Sequence, residues 1–260
     1  MFAEIDSAES GSKNRVWQVA LDRHGAFRSQ FSEYIHPKYI EGLRRLDFGD
    51  KMPTVGSLNS RLAGAGWQVR EVRGYLPVRE YIALVARHVF PVSCLIRPIE
   101  CIDYAPEPDF IHDVLGHLPW LFWPDYSRLI VSLARLMLQV LGEDLTVEII
   151  SDEKQLAFES LLRLSWWSLE FGLLRSPDSG MWIIGAGLIS APGEATAIIR
   201  REVPLKPFGH DALACDISFS THQEGFFIAG EFGDYVKTLD LICSRDKKFV
   251  FTTLDGAVRR

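Results

Sequence analysis

The chain has 260 residues, of which 47% are hydrophobic and 24% are charged, and its formal net charge is −6. These are the proportions of a globular protein, and an acidic chain is poorly suited to binding nucleic acid. No run of about 18 uncharged apolar residues occurs, so we expect no membrane span. The first 13 residues contain no apolar signal core, and the four cysteines form no CxxC pair. Both features favour reduced thiols and a cytoplasmic location.

The spacing of apolar residues predicts a mainly α protein with minor β structure. We expect a flexible tail over 1–14 and a single catalytic domain over 15–260, because no linker-like stretch or repeat divides the chain. Five of the seven tryptophans fall between positions 120 and 182, which fits either an aromatic core or an aromatic-lined pocket. Helices are predicted over 16–34, 37–46, 78–88, 109–116, 125–142, 152–174 and 232–243, with a further short helix capped by Ser57, strands over 67–72 and 90–95, and strand-and-turn structure after Pro177.

His112 and His117 are the first candidates for metal ligands. At about 100° per residue, side chains five positions apart diverge by about 140° on an ideal helix. The two rings can meet one ion only if the helix loosens near its end, which Gly116 and Pro119 would allow. By itself the pair favours ordinary surface or core histidines over a metal site.

Glu170 changes that balance. Its helical neighbours at three and four residues are Trp166, Trp167, Leu173 and Leu174, which are all large and apolar. An ionised carboxylate on such a face carries a desolvation cost of several kcal/mol unless a cation or a hydrogen-bond donor meets it.

Several partners could meet this carboxylate. Arg163 or Arg175 could form an ion pair with it, and so could a buried metal. Two histidines and one carboxylate with open coordination positions form the facial triad of non-haem Fe(II) oxygenases. A zinc hydrolase could use the same three ligands, and residue spacing does not separate the two.

Three segments, in order, resemble signatures of the pterin-dependent aromatic amino acid hydroxylases. The segment 106–117, PEPDFIHDVLGH, resembles the iron-binding segment of that family. The segment 166–174 resembles the one that carries the glutamate ligand, and 185–190, with Glu194 after it, resembles the third signature. The resemblance is strongest over 74–194, fades afterwards, and is nearest to the bacterial phenylalanine hydroxylases.

The resemblance implies a helical basket around a non-haem iron site, and an enzyme that hydroxylates the ring of an aromatic amino acid with tetrahydropterin and O₂. It implies His112, His117 and Glu170 as the catalytic ligands of Fe(II). The remaining implied residues are Gly74, Leu76, Tyr81 and Asp113 for the pterin; Arg97, Pro108, Asp109, Trp166, Phe171 and Ser190 for the substrate; and Ser190 and Glu194 as supports behind the ligands. Arg97 would hold the substrate carboxylate, and Tyr81 would stack on the pterin where the family usually has Phe.

The chain departs from the family pattern near the substrate. Ala105 stands where a hydroxyl residue is common, Ser165 where a tyrosine is common, and Ala191 replaces the second serine of a usual pair. None of these is an iron ligand, so we expect oxygen chemistry to be retained while the substrate stays open. Phenylalanine is the first expectation, and tryptophan or another aromatic acid is the next.

Two other functions are compatible with the same residues. One is a zinc-dependent hydrolase that uses the His, His and Glu ligands. The other is a scaffold that binds a pterin or an aromatic ligand without turnover. We expect a monomer or a small homo-oligomer that binds a small aromatic molecule, with no nucleic acid or membrane partner.

Overall fold

The computed structural model describes residues 10–74, 76–103, 107–142, 152–218 and 221–243. Over these residues the protein is mainly α-helical with two small sheets, which confirms the predicted fold class. The α-helices are α1 (Ser10–Gln30), α2 (Pro37–Leu46), α3 (Val55–Leu62), α4 (Val78–Val85), α5 (Pro124–Leu141), α6 (Asp152–Ser165), α7 (Ala186–Ser190), α8 (Pro192–Ile199), α9 (His210–Ala214) and α10 (Gly233–Cys243). Short 3₁₀ helices cover Ser32–Tyr34, Ala63–Ala65, Ile99–Cys101 and Leu118–Phe122.

The first helix starts earlier than its sequence pattern suggests. α1 begins at Ser10, so residues 10–14 are helical and the prediction of a tail is wrong for them. The rest of that predicted tail, 1–9, lies outside the described residues. Trp17 anchors α1, since its fully buried ring meets Phe48 and Phe110 edge-on at centroid distances of 5.4 and 5.7 Å.

Each of the next two helices has an N-cap side chain that accepts a backbone hydrogen bond. The Nδ1 atom of His36 accepts the backbone N–H of Lys38 at 3.2 Å at the start of α2. At the start of α3, Thr54 Oγ1 accepts the backbone N–H of Ser57 at 3.2 Å. The predicted cap was therefore three residues too late, because Ser57 lies in the first turn and donates to the actual cap.

Two sheets flank the helices. The first pairs β1 (Gln68–Val72) in parallel with β2 (Val89–Ser93). Both strands were predicted, over 67–72 and 90–95, but their pairing was not. The second has the spatial order β4 (Trp182–Ile183), β3 (Leu173–Leu174), β6 (Phe226–Ala229) and β5 (Leu205–Pro207). Within it, β3 runs antiparallel to β4 and parallel to β6.

The segment after Pro177 is more helical than predicted. It contains β4, but α7 and α8 follow where only strands and turns were expected. Pro192 occupies the first turn of α8, where its missing N–H has no helical partner to lose. The glycines of this segment suggested turns. Gly185 and Gly187 instead allow the start of α7 to pack closely against the backbone of Glu170.

Two stretches predicted as helix are π-helices, and the predicted helix over 152–174 is too long, because Leu173–Leu174 form β3. The first π-helix covers His112–His117, and the second, Trp166–Glu170, continues directly from α6. In a π-helix each N–H bonds to the carbonyl five residues back, instead of four. Both π-helices pack against α7.

The apolar core is continuous and encloses a group of polar side chains. Arg97, Asp109, Asp113 and His117 are each less than 9% exposed. Such groups are stable inside a protein only when they are paired or hydrogen-bonded. Among the described residues, no helix has the length and apolar character needed to cross a bilayer.

Candidate metal centre and its two cavities

The first π-helix brings two imidazoles together. His112 begins it and His117 ends it, so the two lie one turn apart in the five-residue hydrogen-bond register. Their Nε2 atoms are 3.1 Å apart. The helix therefore loosens as the spacing requires, and it does so over the whole segment between the two histidines.

Glu170 reaches the same point from the end of the second π-helix. Its Oε1 atom lies 3.1 Å from His117 Nε2, and its Oε2 atom lies 3.5 Å from His112 Nε2. Within the described residues, these three form the only group of His, Cys, Asp or Glu with metal-ligand spacing. Arg163 is not the partner of Glu170, because it pairs with Glu159 and Asp216 at 3.3 and 2.7 Å.

α7 and the glycine before it hold the two π-helices together by backbone contact. A Cβ atom on Gly116 would lie 2.8 Å from the carbonyl oxygen of Ala186, and one on Gly185 would lie 2.2 Å from that of Glu170. Only glycine allows backbones to approach so closely. The segment 185–190 thus positions the ligand-bearing elements by packing.

Ser190 sets the tautomer of His112. Its Oγ atom donates to Gly187 O at 3.2 Å and lies 2.9 Å from His112 Nδ1. Since the hydroxyl proton is engaged, Oγ accepts the Nδ1–H of His112 and leaves the lone pair of Nε2 facing the other ligands. His117 is oriented differently: its buried Nδ1 has no hydrogen-bond partner among the described residues, and its ring packs on Phe90 at 5.0 Å.

The charges of the three ligands are coupled. Burial lowers the pKa of His112 to about 4, so that ring is neutral at pH 7. Burial also disfavours charge on His117, but the nearby Glu170 carboxylate outweighs it and raises the His117 pKa. Burial opposes the charge of Glu170 too, yet the two histidines hold its pKa at about 2. An ionised carboxylate and two ring nitrogens converging on one point form a donor set that fits a divalent cation such as Fe(II) or Zn(II).

Arg97 and Asp109 form a buried ion pair behind His112. Arg97 Nη2 and Nε donate to the two carboxylate oxygens at 2.6 and 3.0 Å. The same carboxylate accepts the backbone N–H groups of Arg97 at 2.7 Å and of His112 at 3.0 Å. Arg97 Nη1 donates to Ser190 O at 3.1 Å, so this pair links the start of the first π-helix to the end of α7.

A cavity of about 370 Å³, here called the Tyr81 cavity, opens on one side of the three ligands. Asp113 lies in its wall, where its carboxylate accepts the N–H of Ser93 at 2.7 Å and burial raises its pKa to about 7. All the residues implied for the pterin line this cavity: Gly74, Leu76, Tyr81 and Asp113.

A second cavity of about 180 Å³, the Arg97 cavity, shares His112 and Glu170 with the first. The residues of the implied substrate site that line it are Arg97, Pro108, Trp166, Phe171 and Ser190. Asp109 stands behind Arg97 and not in the wall. Glu194 lines the cavity as well, and its Oε1 accepts the backbone N–H of Gln223 at 2.8 Å.

The Arg97 cavity has a wall that the sequence pattern did not indicate. Ile217, Ser218, Thr221 and Gln223 line it, from a segment where the resemblance had faded. The Gln223 side chain accepts from Ser218 N–H at 2.9 Å and donates to Ser218 O at 2.8 Å, so these two wall residues are joined by two hydrogen bonds. Its polar residues carry no periodicity that would mark a binding wall.

A family model for the biopterin-dependent aromatic amino acid hydroxylases matches residues 33–253. The chain belongs to this family. The match contains all three ligands, and it continues well beyond 194 to include the wall at 217–223. The predicted cofactors, Fe(II), tetrahydropterin and O₂, are those of the family.

Known relatives agree with this membership. The phenylalanine-4-hydroxylase of Chromobacterium violaceum is 30% identical over 202 residues, which are 75% of this chain and 63% of that protein. The one of Pseudomonas aeruginosa is 31% identical over 167 residues, 64% of this chain and 58% of that protein. A structure of the C. violaceum enzyme with bound oxidised Fe(III) matches with a TM-score of 0.77 at 25% identity, covering 94% of this chain and 83% of the other. The chain thus spans less than two thirds of the length of these two curated relatives.

Proposed function

We propose that the chain is a non-haem iron monooxygenase that hydroxylates the ring of an aromatic amino acid, with tetrahydropterin as cosubstrate. The main observation behind this proposal is that two of the three ligands line two cavities at once. His112 and Glu170 line both the Tyr81 cavity and the Arg97 cavity. Two cavities that share ligand residues suit a reaction that brings two organic molecules to one centre.

His112, His117 and Glu170 would hold the iron, which when bound supplies the site of O₂ activation while the reduced pterin supplies electrons. The protein provides the rest. Ser190 keeps the Nε2 lone pair of His112 directed at the site. The buried Asp109 carboxylate holds the first π-helix at His112 through the backbone N–H.

The Arg97 cavity would hold the amino acid. Trp166, Phe171 and Pro108 offer apolar surface for a ring beside the ligands. Arg97 lies in the wall, but its bidentate fork is directed at Asp109. Its Nη1 also donates to Ser190 O and Ile102 O, which leaves one Nη2 N–H for a substrate carboxylate. We therefore propose single-point attraction of the carboxylate by Arg97, in place of a bidentate clamp.

Phenylalanine is the proposed first substrate, and tryptophan or another aromatic acid is the next. The names of the bacterial relatives support the former, and the replaced polar positions support the latter. Of these positions, Ala105 lies outside the described residues, whereas Ser165 lines the Tyr81 cavity and Ala191 lines the Arg97 cavity. The zinc hydrolase is not favoured, because the family match covers the ligand set. A single domain over 15–260, the cytoplasmic location and the oligomeric state stay predictions.

An anaerobically purified protein loaded with Fe(II) tests this function. It would be mixed with tetrahydropterin, O₂ and a panel of aromatic amino acids, and the products identified by mass and ring position. We expect one hydroxylated product formed in step with pterin oxidation. Tight stoichiometric zinc with no O₂ consumption would contradict the proposal, and iron binding without any coupled product would favour a ligand-binding scaffold.

A further inference from the structure

The Tyr81 cavity is polar at one end only. Its charged and imidazole groups are those of the metal centre and its surroundings: Glu107, His112, Asp113, His117 and Glu170. At the other end, side chains of α4, α5 and α6 form the wall. These are Ile82, Val85, Ile130, Leu133, Ala134, Met137 and Leu162, which together we call the apolar chamber. Val78 also lines the cavity but is 51% exposed, so we do not include it.

The α5 part of the chamber is a single helical stripe. Ile130, Leu133, Ala134 and Met137 follow the spacing i, i+3, i+4 and i+7, and all four are nearly inaccessible to solvent. Such a stripe normally packs on other side chains, but here it lines a cavity. At 1.5 Å per residue, Met137 lies about 10 Å further along the helix axis than Ile130. The α5 wall of the chamber is therefore about 10 Å long.

Small residues keep the chamber open. Ala134 lies in the middle of the stripe, and Ser165 lies at the end of α6 beside the ligands. The Ser165 hydroxyl donates to Leu162 O at 2.7 Å, so its proton is satisfied within the helix. Arg79 joins the start of α4 to the end of α5 by donating to Leu141 O and Gly142 O, each at 2.9 Å.

We propose that the apolar chamber receives the substituent on carbon 6 of the reduced pterin, and that this chain binds pterins with a short alkyl substituent more tightly than those with a dihydroxypropyl substituent. The inference rests on the proposed function. The pyrimidine edge of a pterin carries its donors and acceptors, and only the polar end of the cavity offers partners for them. Hydroxyl groups in the apolar chamber would lose water without gaining hydrogen bonds.

A homologous series tests the proposal directly. Binding of 6-methyl-, 6-ethyl- and 6-propyl-tetrahydropterin to the Fe(II)-loaded protein would be measured by anaerobic titration calorimetry. Tetrahydrobiopterin serves as the matched polar ligand, because its substituent has the three carbons of propyl plus two hydroxyls. We expect affinity to rise by about fourfold per added CH₂, and 6-propyl to bind at least about tenfold more tightly than tetrahydrobiopterin.

Two substitutions locate the effect in the chamber. Ala134→Leu fills the middle of the α5 stripe, so we expect the gain from methyl to propyl to disappear while 6-methyl binding changes by less than about threefold. Ser132→Leu adds the same side chain on the outer side of α5, where Ser132 lines a separate groove, and should leave the series unchanged. If Ala134→Leu does not fold, as judged by circular dichroism, Leu162→Phe fills the same chamber from α6.

The outcomes separate this inference from the proposed function. Equal affinity along the alkyl series, or tighter binding of tetrahydrobiopterin than of 6-propyl, overturns the chamber assignment and leaves pterin-dependent hydroxylation standing. The assignment is also overturned if affinity rises along the alkyl series but neither Ala134→Leu nor Leu162→Phe changes that rise. If no reduced pterin binds at all, the proposed cosubstrate fails and the inference fails with it.

Discussion

Two histidine sites in this protein, neither fully exposed, use similar side chains for different purposes. At the start of α2, His36 stacks on Trp123 at 4.8 Å and meets Trp182 edge-on at 4.9 Å. Its Nδ1 is occupied as a helix cap. At the metal centre, His112 and His117 turn their Nε2 atoms toward each other and toward a carboxylate. We call the first group the His36 cluster.

Burial alone does not distinguish the two sites. It lowers the pKa of both His36 and His112 to about 4. The difference is convergence, because the metal centre directs several acceptor atoms at one point and the His36 cluster does not. A buried histidine indicates a ligand site only when its lone pair is left facing other donors.

The tryptophans divide in the same way. Trp123 and Trp182 pack on His36, and Trp120 lies 6.1 Å from the same ring. Trp167 is core, with its Nε1 donating to Cys215 O at 2.8 Å. Of the five central tryptophans, Trp166 is the one that lines both cavities. The aromatic composition therefore reports mainly on the core.

The largest expected effect comes from removing the ligand charge. Glu170→Gln should abolish hydroxylation and weaken Fe(II) binding by more than about 100-fold. Glu170 is the one anionic ligand, and the two remaining histidines offer no negative charge to the cation. Iron content after dialysis and product formation measure this. Glu159→Gln, a surface carboxylate on α6, is the control and should change neither. Full activity in Glu170→Gln would remove Glu170 from the ligand set.

Arg97→Ala should produce the largest loss of stability. It leaves the Asp109 carboxylate buried without its cation, which costs about 3–5 kcal/mol of unfolding free energy. Urea titration measures it, and Arg45→Ala, which breaks an exposed pair with Glu41 at 3.1 Å, should cost less than about 1 kcal/mol. Similar losses of unfolding free energy in both variants would show that the buried pair stabilises the fold no more than the exposed pair does.

Arg97→Ala should also affect substrate binding. In any residual activity, we expect the KM for the amino acid to rise far more than the KM for the pterin.

Ser190→Ala tests the support of one ligand. Without the hydroxyl, nothing keeps the proton of His112 on Nδ1 and the lone pair on Nε2. We therefore expect Fe(II) affinity to fall by about 10–100-fold. Ser160→Ala removes another buried hydroxyl, one that donates to Leu156 O far from the ligands, and should leave iron affinity unchanged. Equal iron affinity in the two variants would mean that packing alone orients His112.

The smallest effect is expected in the His36 cluster. His36→Asn keeps a cap acceptor but loses the ring contacts, so stability at pH 7 should fall by about 0.5–1.5 kcal/mol with no change in iron affinity. The pKa of His36 is about 4 when folded and about 6.5 when unfolded, so the unfolded chain binds more protons between these values. Wild-type stability should therefore decline as the pH falls from about 6.5 to 4, and it should decline less steeply in His36→Asn. An identical slope would contradict this assignment.

Much of the candidate site was predictable from the sequence, because the physical requirements of its side chains follow from their residue types and spacing. A carboxylate at 170 among tryptophans and leucines needed a counter-charge, and two histidines five apart needed a loosened helix. Both expectations are met at the metal centre. The wall at 217–223 was not predictable, since its polar residues become a cavity wall only when Glu194 and Gln223 meet across the fold.

The sequence by itself was enough to predict the mainly helical fold class, the three candidate ligands and the family. Only the tertiary structure decided the hydrogen-bond register that makes those ligands converge. The π-helical register forgoes the normal four-residue bonding, so it persists where packing holds it in place. Here the segment 185–190 supplies that packing, because Gly116 of the first π-helix meets Ala186 and Gly185 meets Glu170. These contacts join separate elements of the fold, and no local pattern could specify them.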